Sequence, residues 1–173
     1  MEMQREAQAV DDKKLKFTKF QTALEILAAA ALIGMIVHIV LLYGAAPDTV
    51  PTHYGADGAA DAEGGKGGMM VLPIMTAMMY GIFTLLEFFP SSWNVLSVHS
   101  DRWEEMYRAT RTLLILVKLE LIALFWYISA MALLTAPLGA FFLPVTLAVV
   151  FGTLAVYIIR VARMKKEKPA RPE

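Results

Sequence analysis

The chain has 173 residues, 16 basic and 16 acidic side chains, no net charge, and a hydrophobic share of 57% with mean hydropathy +0.53. Zero net charge removes the bulk electrostatic case for a nucleic-acid partner. The absence of cysteine excludes disulfides, thiolate metal sites and a cysteine nucleophile.

The apolar residues fall in blocks of about twenty, the length that crosses a hydrocarbon core of ~30 Å. Residues 1–22 are polar and mixed in charge, and read as an N-terminal tail leading into a helix. Phe17 and Phe20 are expected at the membrane surface. The first span is expected over 23–43 and carries Glu25 near its start and His38 near its end. A cleavable signal peptide is not expected, because the span starts late and lacks a small-residue exit. Glu25 is expected at interfacial depth, within reach of water. His38 has an ordinary reading as a neutral histidine hydrogen-bonded within the bundle. An ionisable residue inside a span is nevertheless a functional candidate by default.

The loop at 44–68 is the long polar connection without a basic cluster. It reads Pro47-Asp48-Thr49-Val50-Pro51-Thr52-His53-Tyr54-Gly55-Ala56-Asp57-Gly58-Ala59-Ala60-Asp61-Ala62-Glu63, and ends on Lys66. Pro47 and Pro51 fix φ and disfavour helix at the residues before them. Gly55 and Gly58 permit turns. The chain is expected to turn back there and bring Asp57 or Asp61 within reach of His53.

The Pro-Asp-x-Val-Pro-x-His-Tyr pattern, followed by Gly58, Asp61, Lys66 and Pro73, resembles the signature of the DUF1648 membrane-protein family. The chain departs from that pattern at Ala46, where the family usually has Leu, and at Ala62 and Glu63, where an aromatic is common. The resemblance implies a helical membrane architecture with the loop between two spans. The same domain occurs in immunity proteins that protect bacilli against a sporulation-delaying toxin. The site residues it implies are Pro47, Pro51, His53, Tyr54, Gly58, Asp61 and Lys66, and Asp57 lies among them.

Gly64, Gly65, Gly67 and Gly68 read as a loose entry to a second span over 69–89. The methionines at 69, 70, 75, 78 and 79 read as flexible packing rather than a copper site. Glu87 falls in the last turn, before Pro90. A helix is expected to open near Asp101, where Asp101-x-x-Glu104 resembles a capping box, and to run into a third span over 113–134. Tyr107, Arg111 and Lys118 share one face of it. Lys118 is expected to pair with Glu87, with Glu25 a competing partner and Glu120 pointing away. A fourth span over 138–159 tolerates Pro144 and Gly152. The basic tail at 160–173 reads as a stop-transfer cluster.

Five Lys and Arg in the first tail, three in the second connection and six in the last lie on one side of the layout. Lys66 stands alone on the other. The positive-inside rule then predicts a plasma-membrane protein with both termini in the cytoplasm and the 44–68 loop outside. The expected fold is an all-α integral membrane protein with four transmembrane helices and a structured extracytoplasmic loop between the first two.

The loop admits several chemistries. Asp side chains can cap turns and His53 can bond backbone. His53, Asp57, Asp61 and Glu63 are weak metal candidates at no established ligand spacing. No loop hydroxyl is marked as an activated nucleophile. The expected function is a non-enzymatic, cofactor-free envelope protein. It would be a sensor or an immunity-type binder of an extracytoplasmic peptide, toxin or small ligand. The alternatives are a small transporter or proton-coupled component using His38, Glu87, Lys118 and Glu120, or a membrane metalloenzyme. Partners are the bilayer and the peptide, with no nucleic acid; the sequence sets no oligomeric state.

Overall fold

The computed structural model describes residues 15–89, 93 and 103–166. Its elements are α1 (Lys19–Ala45), β1 (Thr49–Tyr54), β2 (Ala60–Gly65), a 3-10 turn (Lys66–Met70), α2 (Val71–Phe88), α3 (Trp103–Leu133) and α4 (Phe142–Lys166). The fold is mostly helical, and four of its helical segments are long and apolar enough to cross a membrane. The all-α expectation is corrected by the hairpin β1–β2. Segment 49–65 lacks helical periodicity; Thr49, Val50, Pro51 and Thr52 favour an extended first strand, and the glycine turn brings Ala60–Gly65 back as its antiparallel partner, which satisfies the backbone.

Thr18 caps α1. Its hydroxyl accepts from the Gln21 amide at 3.1 Å, and its own amide donates to Gln21 Oε1 at 3.1 Å. This reciprocal box satisfies two backbone donors at the helix start. α1 ends where Pro47 follows Ala46. The glycines expected as a loose entry are ordered: Gly64 and Gly65 belong to β2, and Gly67 and Gly68 to the 3-10 turn. α2 therefore starts at Val71, with Pro73 in its first turn, where a missing N–H costs little. α4 starts at Phe142 rather than 138. Gly139 has φ +85, and Leu138 spends its amide on the hairpin, so residues 138–141 cannot join the helix. The Asp101–Glu104 box, the first fourteen residues and most of the 90–102 connection lie outside the described residues.

α3 is the central helix. It packs on α1, α2 and α4, while α4 packs chiefly on α3. Its 31 residues rise about 46 Å at 1.5 Å each, more than the hydrocarbon thickness. The buried apolar cluster joins Ala28, Met35 and Ile39 of α1, Val50 of the hairpin, Met69, and Ile122, Ala130 and Leu133 of α3. It fills the half of the bundle under the hairpin. Ile33, Leu41, Ile74, Leu85, Phe151 and Val156 point outward and are exposed. Apolar surface on this scale is untenable in water and natural against lipid.

Candidate functional site

The hairpin sits across one end of the bundle. Its register pairs Thr49 with Gly65, Val50 with Gly64 and Pro51 with Glu63, then slips so that His53 faces Ala62 and Tyr54 faces Ala60. Thr52 and Asp61 are left out of the pairing, as two irregularities in a short ladder. Such bulges re-aim side chains. Here the slip sets Asp61 beside His53, with Nδ1 and Oδ1 2.5 Å apart. Asp57 does not reach the imidazole; its Oδ1 accepts from the Ala59 amide at 3.0 Å and closes the turn.

One side of the hairpin is fastened down. Gly58 has φ +77, and its carbonyl accepts from the Leu138 amide at 2.8 Å. A Cβ at Gly58 would lie 2.5 Å from the Gly139 carbonyl oxygen. The Tyr54 hydroxyl donates to the Ala136 carbonyl at 3.1 Å. Burial pushes the Tyr54 phenol above its ordinary 10.0, and the neighbouring Tyr127 adds to the shift. Val50 and Pro51 are buried against the helices. Lys66 donates to the Ala46 carbonyl at 3.0 Å, reaches Asp48 at 3.3 Å and lies over the Tyr43 ring. It thereby clips the base of the hairpin to the end of α1, where Pro47 turns the chain outward.

The other side is open. His53, Asp57, Asp61 and Glu63 are exposed, and the Asp48 side chain is 99% exposed. Among the described residues no group of three or more His, Asp or Glu could hold a metal ion. The weak metal set is thus not assembled: Asp57 is spent on the turn, and Glu63 stands opposite Pro51. His53 and Asp61 form an isolated pair.

A second polar constellation lies toward the opposite end, within the helices. Lys118 of α3 is 1% exposed. Its Nζ donates to both oxygens of Glu25 at 2.7 and 2.8 Å and to the Thr84 hydroxyl at 3.1 Å. Glu87 Oε1 is 2.9 Å from the same Nζ. Glu25 and Thr84 already take the three ammonium protons, so Glu87 joins the cluster as an ion pair at contact distance. Arg111, two turns earlier on the same face, donates to the Leu15 carbonyl at 2.8 Å and lies over the Phe17 ring. Gln21 crosses from α1 to the Arg108 carbonyl and the Thr112 hydroxyl at 2.9 and 3.0 Å.

The structure thus joins Glu87 and Lys118 and leaves the other intramembrane candidates apart. His38 Nδ1 accepts from the Trp126 indole at 2.8 Å, where Gly34 leaves room for the indole ring. Glu120 turns to α4 and accepts from Thr153 at 2.5 Å. Sequence reasoning set Glu25 against Glu87 as competing partners of Lys118; the structure gives it both. The signal for Glu25 was its place one turn into a span, which reads equally as interfacial. Gln21 was missed, although Thr-x-x-Gln before an apolar run is a capping signature.

A mostly helical chain, with four segments fit to cross a bilayer and a polar hairpin seated on one end, has the fold of a multi-pass membrane protein. Residues 30–77 match the family described as Domain of unknown function (DUF1648). The match spans the later part of α1, the whole hairpin and the start of α2. It contains His38, His53, Asp61 and Lys66, and leaves out Glu25, Glu87, Lys118 and Glu120. No curated protein and no solved structure matches the chain.

Proposed function

We propose that the protein is a non-enzymatic component of the plasma membrane, with both termini in the cytoplasm. The hairpin is its extracytoplasmic recognition surface, and it binds a cationic peptide as a sensor or an immunity-type binder does. The observation that carries this reading is the two-sidedness of the hairpin. Tyr54, Gly58 and Lys66 fasten one side to the helix ends, and the other side presents Asp48, Asp57, Asp61 and Glu63 to solvent. A rigid acidic surface suits a cationic partner, because positions fixed in advance reduce the ordering cost of binding.

The depth of the polar groups favours binding over transport. Lys118, Glu25, Glu87 and Gln21 lie in one half of the bundle. Met35, Ile39, Val50, Ile122 and Leu133 fill the other half. A proton or solute path needs polar partners across that apolar layer.

The test uses the full chain in nanodiscs of zwitterionic lipid and a fluorescent lysine-rich helical peptide. Asp61→Asn combined with Glu63→Gln should weaken peptide binding at least tenfold and leave thermal stability nearly unchanged. Rising salt should weaken wild-type binding as well. Equal affinity for wild type and the double variant would refute the reading.

A further inference from the structure

α4 meets α3 loosely and leaves a groove of about 560 Å³ between them. That volume falls within the ~300–1,000 Å³ typical of small-molecule sites. Val117, Leu124, Phe142, Val145 and Val149 make its walls largely apolar. Tyr127 and Phe142 stack at its turn end with centroids 5.2 Å apart.

One carboxylate lines this groove. Glu120 accepts from the Thr153 hydroxyl through Oε1, and its Oε2 is buried without a hydrogen-bond partner. The contrast with the other intramembrane acids is sharp. Glu25 and Glu87 share Lys118, whereas no ion pair among the described residues reaches Glu120. A carboxylate among apolar side chains, without a cation, is costly to maintain. A ligand that brings its own positive charge would offset that cost. The walls offer such a ligand little else that is polar, so its charge must sit on an apolar body.

We propose that the α3–α4 groove binds a lipophilic organic cation, with the positive centre beside Glu120 and aromatic or bulky alkyl substituents along the groove. The stacked Tyr127–Phe142 pair offers aromatic faces for those substituents. Its lining lies outside residues 30–77 and takes a different ligand class, although Leu138 and Gly139 at its turn end also touch Gly58 of the hairpin.

Tetraphenylphosphonium is the probe, with equilibrium dialysis against the full chain in zwitterionic nanodiscs and empty nanodiscs as the blank. Saturable binding at one site per chain is expected, and Glu120→Gln should weaken it at least tenfold. Tetraphenylborate, of the same shape and opposite charge, should not compete. Should Glu120→Gln fail to fold, Val149→Trp fills the groove from α4 and should abolish binding. Binding no greater than to empty nanodiscs overturns the proposal. So does unchanged affinity in Glu120→Gln, which would mark the groove as a seat for a neutral acyl chain, or unchanged affinity in Val149→Trp.

Discussion

Gly58 carries two demands at once. Its φ of +77 suits a residue without a Cβ, and an added Cβ would stand 2.5 Å from the Gly139 carbonyl oxygen. The first demand alone costs a non-glycine residue about 1–3 kcal/mol. The second cannot be relieved by rotating a side chain, because the obstacle is backbone. Gly58→Ala should therefore lower stability by at least that range and break the bond from the Leu138 amide. Hydrogen exchange at Leu138, with thermal unfolding in detergent, reads both effects. An unchanged exchange rate would mean that the hairpin does not rest on this contact. Thr135 is the complementary case, a non-glycine residue at φ 53. It sits just beyond α3, where the Ala136 amide returns to the Met131 carbonyl at 2.9 Å and closes the helix end.

At the scale of elements, α3 ties α1 and α2 together through one ammonium. Lys118→Met leaves Glu25 and Glu87 facing each other without a cation, and should cost about 3–5 kcal/mol, as breaking buried pairs does. Adding Glu87→Gln removes one of the stranded carboxylates and should restore part of the loss. Glu87→Gln alone should cost less than Lys118→Met, because Glu25 still engages two donors of Nζ. Denaturation of the two single variants and the double variant gives the coupling directly. Additive losses would reject a shared site. The hairpin is held by a different principle: backbone bonds and one lysine clip join it to helix ends, so damage to the Lys118 cluster should leave the hairpin contacts in place.

Across the whole molecule, the two ends differ in kind. The hairpin end is closed by strands and apolar packing, and the other end by Gln21, Arg111 and the Lys118 cluster. The proposed orientation puts the hairpin outside. The chain has no cysteine, so single substitutions report cleanly. A cysteine at Ala59 should react with a membrane-impermeant maleimide on intact cells, and one at Ala170 should react only after lysis. Equal labelling of the two would reverse or abolish the proposed topology.

The four helices were legible because span length is a one-dimensional property: a run of about twenty apolar residues declares itself without any partner. The loop between the first two was legible through its prolines and glycines, and through the signature it shares with DUF1648. Glu87 opposite Lys118 was legible because both lie near the same ends of neighbouring spans. Only the tertiary structure made the loop a hairpin and chose Asp61 over Asp57, because a slip in strand register has no trace in local composition. Only packing gave Lys118 both Glu25 and Glu87 rather than one of them, since Glu25 comes from a helix 93 residues away in sequence. Only packing left Glu120 in an apolar groove on α4's side, because the rotation of a helix that is apolar nearly all round is set by its neighbours and not by its own pattern.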